Sequence, residues 1–134
     1  MTTENTMAQV IELETSLRGL SRELTTPKAG ECLVCYVLRM LEQFGCRGLT
    51  WATRFRDLQA LRATALQARL AQRGAFCDCE ILLNAYEMHP SFFSYDQLAD
   101  EYVAPDTRPS CGQVRRGSVQ PCRIWQRPSR SVWW

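Results

Sequence analysis

The stretch "ECLVCYVLRMLEQFGC", residues 31–46, decides what kind of fold this chain adopts. Leu33, Val34, Val37, Leu38, Leu41 and Phe44 fall at positions i, i+1, i+4, i+5, i+8 and i+11, which gives a helix a wide apolar face to bury. Gly45 follows as a natural stop, because glycine takes the left-handed backbone with which many helices end. At the start of the stretch, Cys32 and Cys35 form a C-x-x-C. Residues three apart share one face of a helix, so both sulfurs can point the same way. The same segment thus reads as a core helix and as half of a ligand set.

Helical signals continue on both sides. Upstream, "MAQVIELETSLRGLSREL" (7–24) sets Val10, Leu13, Leu17, Leu20 and Leu24 at alternating spacings of three and four. That stripe predicts an amphipathic helix docked on the core, and "TTPKAG" (25–30) ends it. Downstream, residues 50–73 are rich in Ala, Leu, Gln and Arg and read as one bent helix or two, closed by Gly74. "EILLNAYEM" (80–88) fits a helix or a buried strand. "FSYDQLADEYV" (93–103) carries a capping signal, Ser94 with Gln97 three later and Phe93 just before, and predicts a short final helix. From Pro105 the chain turns rich in Pro, Ser and Arg with no apolar period, the composition of a disordered segment.

Seven cysteines without a visible secretory leader argue against a disulfide framework. Cys77 and Cys79 form a second close pair, C-x-C, with 41 residues between it and Cys35. Two close pairs joined by a long loop are a common way to assemble a structural zinc site, four thiolates at about 2.3 Å in a tetrahedron. The expected ligands to Zn2+ are Cys32, Cys35, Cys77 and Cys79, with Cys46 as a possible extra one. Asp78 and Glu80 are expected to sit behind the ligands, orienting a donor or facing water. The single histidine, His89, precedes a proline and reads as a helix-end or surface residue. Inert buried thiols and redox work by Cys32–Cys35 stay open beside the metal reading.

Together, "ECLVCYVLRMLEQFGC", "RATALQARL" and "GAFCDCEILLNAY" resemble a family of small, cysteine-rich actinobacterial proteins of unknown function, over about residues 30–87. The marks of the resemblance are CLxCY and FCDCE. It implies that Cys32, Cys35, Cys46, Cys77 and Cys79 correspond to the family's cysteines, and it implies no activity.

Formal net charge is +2, but residues 105–134 hold six arginines and one aspartate, so the remainder is net acidic. A nucleic-acid surface spread over the whole protein is therefore excluded, and only the tail could be a basic arm. There is no G-x-G-x-x-G, no G-x-x-x-x-G-K and no G-x-S-x-G. No apolar run reaches the ~20 residues that span a bilayer. The expected fold is mainly α, a small helical domain with a cysteine-clustered site and a disordered C-terminal tail. Its parts are an N-terminal amphipathic helix and linker (1–29), a cysteine-motif helical domain (30–104) and a disordered basic tail (105–134). The expected function is a structural zinc-binding interaction module, zinc-responsive in its further form. The module is expected to work as a binding protein more than as an enzyme, in the cytoplasm and off any membrane, with another protein as partner. The alternatives are a thiol redox protein or sensor using Cys32–Cys35, and an RNA- or ribosome-associated binder. The binder would use Arg54, Arg56, Arg62, Arg69 and Arg73, or the tail, where Trp125, Trp133 and Trp134 interleave with Arg123, Arg127 and Arg130.

Overall fold

A computed structural model of the protein describes residues 3–128. Helix α1 (Thr3–Leu24) leads to a loop, then α2 (Leu33–Phe44), α3 (Thr50–Gln59) and α4 (Leu66–Gln72). A single turn, α5 (Asp78–Glu80), widens into a π-helical turn (Ile81–Ala85). Strand β1 (Glu87–Met88), a hairpin of β2 (Ser94–Asp96) and β3 (Glu101–Val103), and strand β4 (Trp125–Gln126) complete the described chain. The helical, cysteine-clustered character expected from the sequence is what the structure has, with few strands added.

α2 is the centre of the molecule. Its first turns bury Leu33, Val34, Tyr36, Val37 and Met40, and α3 packs Trp51, Ala52 and Phe55 against them. Tyr36 meets Phe55 at 5.7 Å between ring centroids, and Phe44 meets Trp51 at 5.5 Å. Gly45 ends α2 at φ +80°, its N–H donating to Leu41 O at 3.0 Å. The segment 50–73 is two helices. The first stops at Ala60, and turns through residues 61–64 lead to α4, whose Leu66 and Leu70 return to the core.

Three expectations fail here, each for a physical reason. The stripe of α1 does not dock: Val10, Leu13, Leu17, Leu20 and Leu24 are all exposed. The inward face of α2 is already covered by α3, α5 and the C-terminal segment. What α1 has instead is an anchored exit. Tyr36 Oη donates to Thr25 O at 2.6 Å and Arg54 Nε to the same carbonyl at 3.0 Å, while Arg39 forks onto Glu31 at 3.0 and 2.8 Å.

Residues 93–103 form the β2–β3 hairpin in place of a helix. Tyr95 pairs with Tyr102 across it, their rings 5.5 Å apart, and Asp100 turns the chain at φ +50°. Leu98, the apolar residue a helix there would need to bury, is fully exposed at the turn.

The third correction concerns the C-terminal segment. Residues 105–128 are not a disordered tail: Cys122, Ile124 and Trp125 are part of the core, with Cys111, Val114 and Val119 packed on it. β4 pairs antiparallel with β1 (Met88↔Trp125), and His89 N donates to Ile124 O at 2.6 Å. Val114 N donates to Gly30 O at 2.9 Å, fastening the segment to the entry of α2. Composition signalled disorder, but a few apolar residues with a scaffold to pair against suffice to order a chain whose polar remainder stays at the surface. Arg130, Trp133 and Trp134 lie outside the described residues.

Candidate metal centre

The expected four-cysteine site is divided in the structure. Cys32 and Cys35 lie with Cys111 and Cys122, and Cys77 and Cys79 lie with Cys46. Within each group every sulfur is within 4.8 Å of the others.

The quartet is built on the N-terminus of α2. Cys32 is its N-cap, in extended conformation, and its Sγ accepts the Cys35 N–H at 3.4 Å. This places both sulfurs on one face at the mouth of the helix. The C-terminal segment brings the other two. Cys111 Sγ accepts the N–H of Cys32 at 3.3 Å and of Gln113 at 3.4 Å. Cys122 Sγ stands 3.8 Å from Cys35 Sγ, with the backbone N–H groups of Ile124 and Gly112 directed at it. Trp125 Nε1 donates to Cys35 Sγ at 3.2 Å, so its buried indole spends its polar edge on the site.

Such donors stabilise negative sulfur. The Cys35 thiol, with the Cys35 backbone N–H adding to it against the cost of burial, pulls Cys32 down to about 5. Cys35 is pushed up as the partner in that bond and by burial, and burial also raises Cys122. Bonds of 2.3 Å from a central ion place tetrahedral sulfurs about 3.8 Å apart, the separation that Cys35 and Cys122 show. All seven cysteines are free thiols in the structure, so the quartet owes its closeness to the fold and not to disulfides. The residues present fit a tetrahedral four-thiolate ion: soft donors, right number, right spread, and N–H groups to orient them.

The trio is built differently. Cys77 is extended and Cys79 follows in the turn of α5, with Asp78 between them fully buried. The Asp78 carboxylate accepts the N–H groups of Trp51 at 2.9 Å and Ala52 at 3.0 Å, capping α3 from the far side of the chain. Its own N–H donates to Gly48 O at 2.7 Å. Burial pushes the Asp78 carboxyl up from the usual carboxylate range, and those two backbone donors work against the rise. Glu80 turns back so that Oε1 accepts the Phe76 N–H at 3.1 Å. Both acids therefore hold backbone, and neither belongs to the set of sulfurs. Cys46, just past the end of α2, is exposed, and Cys77 and Cys79 are half-exposed. The Cys79 thiol lowers Cys46, and Cys79 itself is raised to about 11 as the partner in that bond.

Sequence reasoning missed Cys111 and Cys122. The signal for them was present as two cysteines in a stretch with no other use for them, one followed by Gly112 and the other close to Ile124 and Trp125. Gly112 has a local role: a Cβ there would stand 2.8 Å from Arg123 Cγ. His89 is no ligand; its Nδ1 accepts the Ser91 N–H at 3.1 Å and caps a short 3-10 turn. Of the arginines weighed for nucleic acid, Arg54 is committed to Thr25, Arg56 to Asp57, and Arg73 to Tyr86, whose hydroxyl it reaches at 2.6 Å.

Residues 33–84 match a family described as Protein of unknown function (DUF2695). The resemblance to a family of unknown function holds over that span, which takes in the whole trio but only Cys35 of the quartet. No curated protein and no solved structure matches the chain. Among the described residues, no helix is long and apolar enough to cross a membrane.

Proposed function

We propose that this protein is a zinc-stabilised helical module, in which an ion held by Cys32, Cys35, Cys111 and Cys122 clamps the C-terminal segment onto the mouth of α2. The observation that carries this reading is the quartet itself, four sulfurs within 4.8 Å from segments that the chain separates by about eighty residues. Four thiols converging on one point gain little from packing alone, since a thiol is a weak hydrogen-bonding partner. An ion at their centre supplies the missing interaction, and zinc suits a closed set of four thiolates with no open position. Its binding free energy becomes part of the folding free energy. The ion supplies a cross-link, and this chain's residues supply its geometry: Cys32 caps, Trp125 donates, and the backbone of Gln113 and Ile124 orients. A reducing cytoplasm, where thiols persist, is the compartment that fits such a site.

The redox reading has one observation in its favour, the low Cys32 thiol at a helix N-terminus. Burial counts against it. Cys32 is wholly buried and Cys35 nearly so, which leaves little sulfur surface for attack on a substrate disulfide.

Metal content of the full chain purified under reducing conditions tests the proposal, with Cys111→Ser and Cys122→Ser beside it. A zinc content at least one ion per chain below wild type in both variants supports the quartet. The full wild-type content kept in both, or none bound by wild type with its fold intact, refutes it.

A further inference from the structure

We propose that Cys46, Cys77 and Cys79 form a second metal site, a three-thiolate pocket that takes a thiophilic d10 cation such as Zn2+ and leaves one coordination position to solvent. It is separate from the quartet and shares no ligand with it.

Three observations carry the inference. The first is convergence from two segments: the three sulfurs are mutually within 4.8 Å, although Cys46 comes from the loop after α2 and the others from α5 and the residue before it. The second is that the backbone around them is pinned at several points, whereas the sulfurs have mainly one another and a long Cys46 Sγ contact to Gly48 O at 4.0 Å. Asp78 N to Gly48 O joins the two segments, the Asp78 carboxylate holds Trp51 and Ala52, and Trp51 Nε1 donates to Gly45 O at 2.9 Å. Glu80 fixes the backbone at Phe76. This is the support that a preformed site requires, geometry set by residues that do not themselves ligate. It also explains "CDCE": the two acids fasten the turn, and the two cysteines are what the turn presents.

The third observation is exposure. Cys46 is exposed and its two partners are half-exposed, and among the described residues no fourth His, Cys, Asp or Glu completes the group. Closed four-ligand zinc sites are structural, whereas three protein ligands leave a place for water or an incoming group. Ordinary core packing does not explain the trio either, since Cys46 stands outside the core. A solvent-facing site of three soft donors suits an ion that enters and leaves without unfolding the protein. Binding displaces the remaining thiol protons to solvent and changes no oxidation state.

The test is zinc release from the full-length, zinc-loaded, reduced protein into a chromophoric chelator, followed in time for wild type, Cys46→Ser and Cys111→Ser. Helical circular dichroism is recorded on each. Two zinc ions per chain are expected in wild type, one released fast and one slowly. Cys46→Ser is expected to lose the fast ion alone, with an unchanged dichroism spectrum; Cys77→Ser is expected to do the same. A single fast ion that Cys46→Ser abolishes and Cys111→Ser leaves in place would support the trio while removing the quartet. A fast ion that persists in Cys46→Ser overturns the proposal, as does wild-type protein with only one, slowly released ion. A trio that forms a disulfide in the reduced preparation and takes no zinc overturns it as well.

Discussion

The quartet and the trio use the same side chain for opposite ends. In the quartet the sulfurs are shut in: Cys32, Cys35 and Cys122 are buried, and N–H donors from Cys32, Cys35, Gln113 and Trp125 point at sulfur. In the trio the N–H donors of α3 point at carboxylate, although the backbone N–H groups of Cys79 and Glu80 also act on Cys46 and Cys77. Asp78 takes the N–H groups, and the sulfurs beside it face outward. Where a fold directs its hydrogen bonds therefore tells which thiols hold the protein together and which are held out by it. Cysteine spacing alone, C-x-x-C against C-x-C, does not make that distinction.

The comparison can be broken most directly at Cys122. Apparent binding free energies of structural zinc run to ~10–16 kcal/mol, as large as the whole stability of many domains. Cys122→Ser is therefore expected to abolish the cooperative thermal transition, as is chelation of the slowly released ion. A melting temperature within a few degrees of wild type would reduce the quartet to ordinary core.

Asp78 offers the next largest effect. Asp78→Ala leaves two buried N–H groups at the start of α3 without an acceptor, a loss of about 2–3 kcal/mol that denaturant unfolding would register. Asp78→Asn, which keeps one acceptor oxygen, is expected to recover part of it. Trp125→Phe probes the donors around the quartet while keeping a buried ring. Loss of an oriented donor of this kind weakens metal binding about 10–100-fold, measurable by chelator competition, with the fold maintained. The smallest effects are expected where nothing is packed. With no ion in the trio, Cys46→Ser should shift global stability by no more than about 0.5 kcal/mol, and Leu17→Ala on the open face of α1 similarly little. By contrast Leu33→Ala, the same kind of change at a fully buried position, should cost about 2–5 kcal/mol. Comparable losses at Leu17 and Leu33 would show that α1 has a covered face in solution.

What the sequence made legible was local. The apolar face of α2, its stop at Gly45 and the shared face of Cys32 and Cys35 all follow from periodicity and were readable in one short stretch. The two close cysteine pairs were readable as well, but not their partners. Pairing is decided by which segments the core brings together, and neither C-x-x-C nor C-x-C encodes that. Joining Cys35 to Cys77 was the shorter connection along the chain; the fold joins Cys35 to Cys122 instead. Residues 93–103 misled because a capping signal of two residues was outweighed by tyrosines that pair across a hairpin. The arginine-rich segment from Pro105 misled because composition averages over a stretch, while packing uses single residues such as Ile124.

The separation of the quartet's two halves has a consequence in time. Cys35 and Cys122 are 87 positions apart. At ~5–20 residues per second, a ribosome that has finished Cys35 needs roughly 4–17 s more to add Cys122. During that interval the quartet has only Cys32 and Cys35, joined late by Cys111, and no closed cage. Capture then becomes firm when the last strand arrives, so the order of synthesis makes the ion a seal set at the end of manufacture.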